Sequence, residues 1–155
     1  EREIAEIRDE LEQGGYIKRK KGNKNKKEKP LPPIEFISSD GFRILVGRNN
    51  VQNDILTLKT AMNYDMWLHV QKHAGSHTVI VADKKEITET AIFEAACIAA
   101  FHSKAKNSSS VPVDYTLIKN VKKPTGGKPG KVIYSTYNTI YVTPSKEIIE
   151  KLMKE

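Results

Sequence analysis

The densest group of chemically active side chains lies in DMWLHVQKHAGSHTVIVA, residues 65–82. This segment holds the only tryptophan and three of the four histidines, namely Trp67, His69, His73 and His77. The four-residue spacing of the histidines would align them on one helix face, where imidazoles could bind zinc. However, the β-branched residues around them and the central Gly75 predict two strands and a turn, and no HExxH or CxxC pattern is present. We therefore expect no metal here, and a tryptophan that either packs in the core, which is favoured, or stacks on a base.

A second polar cluster is GRNNVQND, residues 47–54. Arg48 carries a planar guanidinium that can hold a phosphate or read a base edge. Four amide side chains follow, Asn49, Asn50, Gln52 and Asn53. Amides both donate and accept hydrogen bonds, so burying them is costly. Part of the cluster is expected to cap the helix that starts here, through Asn49 or Asn50, while Asp54 interacts with the helix dipole. In addition, this polar helix start could hold a nucleic-acid backbone or bases.

The third group is a set of lysines around PTGGKPGK: Lys119, Lys122, Lys123, Lys128 and Lys131. The glycine spacing does not match a nucleotide-binding P-loop, and Val132 stands where Ser or Thr would hold magnesium. Backbone amides near glycines, together with mobile ammonium groups, suit a sugar-phosphate chain. The favoured interpretation is an RNA-contacting loop, and the alternative is a solvated charged loop.

Catalysis is not indicated by the sequence. Asp54, Asp65 or Ser76 could be combined with a histidine, but no nucleophile elbow or signature spacing supports a hydrolase. Cys97 is the only cysteine and lies in the apolar run AACIAAF, so it is expected to be buried and unable to form an internal disulfide. We therefore predict a binding protein without cofactors in a reduced, cytosolic setting.

The elements that position these groups are predicted from hydrophobic spacing. Strand pairs are expected around the turns at Asp40-Gly41 and Gly75, a single strand over 111–123, and a hairpin over 132–144 that turns near Tyr137-Asn138. A helix over 48–62 carries one apolar face, formed by Val51, Ile55, Leu58 and Met62.

A second helix, over 88–103, is capped by Thr88, is apolar nearly all round and is expected to be the central buried one. Ser145 caps a short closing helix. Strands follow mostly upon strands, which predicts an α+β fold: one compact domain with a largely antiparallel sheet packed on two internal helices, preceded by the helical end of a coiled coil.

Charge divides the chain into three predicted parts. Residues 1–17 have apolar positions at Ile4, Ile7 and Leu11 and are interpreted as the end of a coiled-coil helix whose partner helix lies elsewhere in a longer protein. Residues 18–33 form a basic linker that ends in PLPP, and residues 34–155 form the domain proper. Most of the formal net charge of +7 arises in the linker, which is either a grip for polyanions or a solubilising spacer. No run approaches the roughly 20 apolar residues of a membrane span.

Several motifs together resemble one family. ISSDGFRILVGRNNVQND, DMWLHVQKHAGSHTVI, the alanine-rich helix and YTLIKNVKKPTGGKPGKV, in this order over about residues 34–144, are similar to the C-terminal RNA-binding (NFACT-R) domain of the NFACT family. The resemblance implies a module of a ribosome quality-control factor. Such a factor binds large (50S) subunits obstructed by peptidyl-tRNA and recruits tRNA, and the ribosome itself adds untemplated residues to the stalled chain.

The resemblance also implies which residues are distinctive. Carried over by motif, these are Arg48, Asn50, Asn53, Asp54, Asp65, Trp67, His69, Ser76 and His77. One departure is Ala74, which stands where the family usually has proline. The expected partners are tRNA and ribosomal RNA, with cytoplasmic localisation. The alternatives are a surface adhesin, because some members are named fibronectin-binding proteins, and a metal-dependent hydrolase.

Overall fold

The computed structural model describes residues 31–154. The coiled-coil end expected over 1–17 and most of the basic linker over 18–33 lie outside the described residues. The described part of the chain thus comprises the predicted domain and the last residues before it.

The centre of the fold is one six-stranded sheet in which every neighbouring pair is antiparallel. Its strands are β1 (Ile34–Ile37), β2 (Arg43–Val46), β3 (Met66–Val70), β4 (Thr78–Ile80), β5 (Val111–Leu117) and β6 (Asn138–Val142). Their order across the sheet is β1-β2-β4-β3-β5-β6. The predicted α+β class with an antiparallel sheet is confirmed.

Within residues 31–154, three α-helices accompany the sheet: α1 (Asn50–Ile55), α2 (Glu89–Phe101) and α3 (Lys146–Leu152). The chain continues from α1 into a π-helical turn, Leu56–Thr60, and from β5 into a 3-10 turn, Ile118–Asn120. The hydroxyls of Thr88 and Ser145 accept from backbone N–H groups at the starts of α2 and α3, as predicted. Asn49 caps α1 by accepting from the N–H of Gln52 at 2.8 Å.

The larger core lies between one face of the sheet and α2 with α3. Alanines at 91, 95, 96, 99 and 100 are essentially inaccessible, which lets the α2 backbone approach the strands closely. Cys97 is buried in the same layer, and burial raises the pKa of its thiol to about 11. The predicted central helix is therefore confirmed, and its cysteine is a packing residue.

A smaller core covers the opposite face of the sheet. It contains Leu45, Leu56, Trp67, Val79, Ile118 and Val121, with Val132 and Tyr134 packed against it. Alternation along β3 explains the division, because Trp67 faces this cluster while Leu68 faces the larger core. Helix α1 and the segment after β5 thus form the second layer, and this is the layer that carries the polar motifs.

The apolar face expected for α1 is not the face that the helix buries. Val51, Ile55, Leu58 and Met62 are all exposed, and the buried side instead holds Asn53, Leu56 and Thr57. The physical reason is that Asn53 and Thr57 make hydrogen bonds to His77, so the helix turns its polar side inward. Periodicity in apolar residues missed this because the buried contacts are polar.

Two strand predictions need correction after residue 117. The single strand expected over 111–123 ends at Leu117, where the N–H of Ile118 donates to the carbonyl of Asp65. The hairpin expected over 132–144 contributes only β6. Its first half crosses the smaller core instead, with Val132 and Tyr134 packed inward and Ile133 bridged to Lys122.

Candidate nucleic-acid interface

A cleft of about 620 Å³ opens beside the smaller core, at the end of β3. We call it the indole cleft. Its walls come from four places in the chain: α1, β3 with the turn after it, β5, and the segment 130–137. Among its lining residues are Trp67, His69, His77, Asp114, Tyr134 and Tyr137. The segment that drew attention in the sequence therefore does line a concave surface.

Strand register brings the polar residues of the cleft together. Trp67 and His69 are two positions apart on β3 and so project to the same side of the sheet. His69 lies opposite Asp114 on β5, and Asp114 lies opposite Thr139 on β6. One row across three strands thus carries an imidazole, a carboxylate and a hydroxyl.

The aromatic rings form a contiguous group around the indole of Trp67. The His69 ring lies parallel to it with centroids 5.8 Å apart, and the His77 ring is perpendicular at 5.4 Å. Tyr134 packs over the indole at 4.8 Å, and Tyr137 meets Tyr134 edge-on at 5.2 Å. Trp67 is 1% exposed, so it belongs to the core, as favoured from sequence, while its ring still lines the cleft floor.

His77 is held by both ring nitrogens. Its Nε2 lies 3.0 Å from the carbonyl of Gly130, which can only accept, so Nε2 carries the hydrogen. The hydroxyl of Thr57 then donates to Nδ1 at 2.7 Å. His77 therefore connects α1 and the glycine-rich loop to the sheet, and this geometry suits a bracing role.

Asn53 provides a second brace at the same point. Its Oδ1 accepts from the backbone N–H of His77 at 3.1 Å. In this position the Asn53 side chain lies against Gly47, where a Cβ would be only 1.9 Å from the Asn53 Oδ1. Glycine before Arg48 is thus a packing requirement of the GRNNVQND motif.

Asp54 ties α1 to the glycine-rich loop. Its carboxylate accepts from Lys123 Nζ at 3.0 Å and from the N–H of Gly130 at 2.9 Å. Gly130 adopts a left-handed conformation, with φ of 85°, and a side chain there would also meet Asn50. The GRNNVQND cluster and the lysine loop, which are far apart in the sequence, are therefore one structural unit.

The other motif residues that the resemblance singled out are distributed around this unit. Asp65 accepts from the N–H groups of Met62 and Ala82 and is buried, which is a structural use. Arg48 Nε donates to the carbonyl of Pro32 at 2.7 Å, so it holds the segment that enters the domain. The backbone N–H of Ser76 donates to the carbonyl of His102, beside the turn that contains Ala74.

His69 also fastens the end of β3. Its Nδ1 lies 2.6 Å from the carbonyl of Val70, and its Nε2 lies 3.2 Å from the carbonyl of Gly75. The ring thus spans the turn between β3 and β4, and it remains partly accessible from the cleft.

The five predicted lysines do not all lie together. Lys123 is partly buried in its ion pair with Asp54 and also donates to the carbonyl of Lys128. Lys122, Lys128 and Lys131 are exposed on the segment that includes Gly130 at the cleft wall. Lys119 is exposed farther along, with its Nζ 5.8 Å from the ring centroid of Tyr64.

Sequence reasoning missed a buried carboxylate of the cleft, that of Asp114. Asp114 is 3% exposed and accepts from Gln71 Nε2 at 2.6 Å, Tyr134 Oη at 2.7 Å and Thr139 Oγ1 at 2.8 Å. Burial, followed by the bond to Asp114, raises the pKa of the Tyr134 hydroxyl. The sequence offered no signal for this, because Asp114 shares the polar alternation of VPVDYTL with Pro112 and Thr116, where an acid is ordinary.

Residues 31–154 contain neither a group of side chains suited to a metal ion nor a helix suited to a membrane. In this range, no three side chains of His, Cys, Asp or Glu are grouped so as to hold a metal ion. None of the helices described there has the length and apolar character needed to cross a membrane.

Comparison with known proteins decides the family. A family model described as the NFACT protein RNA binding domain matches residues 33–136, well over half of the chain. The chain belongs to this family. The resemblance inferred from the motifs is thereby confirmed.

Curated relatives are similar in sequence to this chain over nearly its whole length. The Rqc2 homolog RqcH of Bacillus subtilis (strain 168) is 49% identical over 155 residues, covering 99% of this chain and 27% of the relative. The Rqc2 homolog RqcH of Streptococcus suis (strain 05ZYH33) is 42% identical over 151 residues, covering 97% and 27%. The chain thus spans about a quarter of the length of these curated relatives.

A solved structure is similar to this chain in three dimensions. It is the C-terminal part of the fibronectin/fibrinogen-binding protein from Streptococcus suis, with a TM-score of 0.83 and 42% identity. The superposition covers 99% of this chain and 61% of that one. Similar proteins therefore carry two kinds of name, Rqc2 homolog and fibronectin/fibrinogen-binding protein.

Proposed function

We propose that this chain is the RNA-binding module of a ribosome quality-control factor, which contacts tRNA, the obstructed large subunit or both while untemplated residues are added to a stalled chain. In this proposal the module binds and the ribosome makes the peptide bond, so the chain itself is not an enzyme and works in the cytoplasm. Family membership supports the RNA ligand, and the names of the relatives support the process.

The observation that carries the proposal is the set of hydrogen bonds that attach the lysine loop to the indole cleft. Asp54 and His77 fix Gly130 from two sides, so the lysines that flank it are held next to the aromatic floor. The lysines supply positive charge for phosphates, and the aromatic rings of the adjacent cleft supply faces on which bases can stack. Lys122, Lys128 and Lys131 are the proposed phosphate contacts here, with Lys119 at the outer end.

Lys123 and Asp54 have a different role in the proposal. Their ion pair, with side chains 28% and 23% exposed, positions the loop. Arg48, Asn50, Asn53, Ser76 and the buried His77 likewise act mainly by shaping the site, with Trp67 beneath the cleft floor, while the partly accessible His69 faces the RNA. This division separates residues whose loss weakens binding directly from those whose loss also destabilises the fold.

Salt dependence tests the phosphate contacts. Four lysines that each neutralise one phosphate give a slope of log affinity against log salt of about −3, or roughly 50-fold weaker tRNA binding at 200 mM than at 50 mM salt. Reversal of Lys122 and Lys131 to Glu should halve this slope. The matched control reverses Lys146 and Lys151, two exposed lysines of α3 on the opposite side of the sheet. Equal effects of the two pairs would show that general charge, and not this surface, binds tRNA.

Fibronectin is the second candidate ligand, because the similar solved structure carries that name. A titration of fibronectin at physiological salt, with heparin as a polyanion control, separates the two. Saturable binding of fibronectin that heparin does not compete, together with no binding of tRNA, would favour the adhesive function.

A further inference from the structure

We propose that the indole cleft holds one unpaired RNA nucleotide, with its base against the ring of Tyr137 and its phosphate beside Lys72. This inference rests on the proposed RNA-binding function and specifies which part of the RNA enters which part of the site. It predicts a preference for single-stranded over double-stranded RNA.

The size and lining of the cleft fit a nucleotide. At about 620 Å³ it lies within the range of roughly 300–1,000 Å³ that is typical of small-molecule sites. Its lining mixes aromatic rings with an amide and a carboxylate, which suits a flat heterocycle that carries polar edges. A paired base exposes neither face for stacking, so only an unpaired nucleotide can use such a surface.

Tyr137 presents an accessible phenol ring to the cleft. Its side chain is 46% exposed, whereas Trp67 and Tyr134 behind it are packed against the sheet. The edge-on contact with Tyr134, at 5.2 Å, orients the ring. Tyr134 is in turn fixed by its hydrogen bond to Asp114. The stacking surface is therefore supported from below by a buried hydrogen-bond network.

The floor of the cleft contains a donor that lacks a partner. The Nε1 of Trp67 is buried and makes no hydrogen bond within residues 31–154. Buried donors are nearly always paired, because an unmade bond costs stability. A polar atom of a base, or a water that the base retains, would satisfy this indole N–H.

The cleft rim carries a cation in an unusual backbone conformation. Lys72 follows Gln71 at the end of β3, lines the cleft, and has φ of 61°, in the left-handed region that non-glycine residues rarely adopt. Strained residues of this kind concentrate at functional sites. An exposed ammonium at the mouth of the cleft is placed to meet the phosphate of a nucleotide whose base lies inside.

The single tryptophan gives a direct readout. The intrinsic fluorescence of Trp67 is followed while the full chain is titrated with an unpaired hexaribonucleotide, with the same oligonucleotide lacking its bases, and with a duplex of the same sequence. We expect the unpaired RNA to quench with the lowest dissociation constant and the other two to bind at least 5-fold more weakly, because loss of one base–aromatic stack weakens affinity by roughly 5- to 150-fold.

Two matched pairs of variants locate the nucleotide. Tyr137→Ala should weaken binding of the unpaired RNA by the same factor, while Phe93→Ala, an equally exposed ring on α2 at 45%, should not. Lys72→Gly should weaken it a few-fold, while Lys84→Gly, a lysine with φ of 64° outside the cleft lining, should not. Glycine accepts the left-handed conformation at both positions, so these variants remain folded.

The outcomes distinguish the two levels of the proposal. If RNA binds with the expected salt dependence but the abasic and duplex forms bind equally well and Tyr137→Ala has no effect, the nucleotide pocket is wrong and the RNA-binding function stands. If none of the RNAs binds, the proposed function itself fails. Weakening by Phe93→Ala or Lys84→Gly equal to that of their partners would also overturn the pocket.

Discussion

The contact between Asp54 and the glycine-rich loop makes a quantitative prediction about stability. Asp54→Ala removes the ion pair to Lys123 and the acceptor for the N–H of Gly130. A partly exposed ion pair contributes about 0.5–1 kcal/mol, and a hydrogen bond to a charged acceptor about 1.5 kcal/mol. We therefore expect Asp54→Ala to lower the free energy of unfolding by about 2–2.5 kcal/mol.

Two further variants separate these contributions. Asp54→Asn keeps an oxygen that can accept from Gly130 and loses only the charge, so it should cost about 0.5–1 kcal/mol. Lys123→Ala should cost a similar amount, and the cycle of Asp54→Asn with Lys123→Ala should give a coupling energy of about 0.5–1 kcal/mol.

Urea unfolding followed by Trp67 fluorescence is the assay, since the sole indole lies in the adjacent core cluster. The midpoint should shift without a change in slope, which would show that stability and not the extent of unfolding has changed. A loss below about 0.3 kcal/mol for Asp54→Ala, or zero coupling with Lys123, would refute the idea that this contact holds the loop.

Three other predictions rest on local geometry. Gly47→Ala should destabilise the fold by more than about 2 kcal/mol in the same urea assay, because its Cβ would overlap the Asn53 amide, and Asn53→Ala should partly relieve this clash. Burial lowers the pKa of His102 below 6.5, so near this pH the unfolded chain binds more protons than the folded one. The free energy of unfolding should therefore fall as pH drops below about 6.5, and His102→Gln should flatten that part of the pH profile. The pKa of the Cys97 thiol, raised to about 11, predicts negligible alkylation at pH 8 in the native state and rapid alkylation in urea, measured by mass spectrometry.

Local patterns were sufficient for the parts of the fold that bury apolar residues. The β1–β2 hairpin was predicted from Asp40-Gly41, where Gly41 has φ of 94°, and the alanine-rich helix α2 was predicted from its composition. Apolar burial failed as a guide for α1, whose inward side carries Asn53 and Thr57. The contacts that orient this helix are hydrogen bonds to a residue 20 or more positions away, which spacing along the sequence does not encode.

The candidate site was predictable in its residues more than in their arrangement. Trp67, His69 and His77 were selected by type and do share one cleft, whereas the role of Asp114 depends on strand register across β3, β5 and β6. Tyr134 was expected in a hairpin, and its packing over the indole depends on how the segment 130–137 crosses the sheet. Lys123 was grouped with exposed lysines, and only the tertiary structure shows its carboxylate partner.

Crosslinking to its proposed target tests the central claim most directly. The chain, bound to large ribosomal subunits that retain peptidyl-tRNA, is irradiated with ultraviolet light, and the crosslinked peptides are identified by mass spectrometry. The account predicts that RNA crosslinks fall within residues 66–77 and 119–137, the segments that form the indole cleft and its basic loop. Crosslinks confined to α2 and α3, on the other side of the sheet, would contradict it.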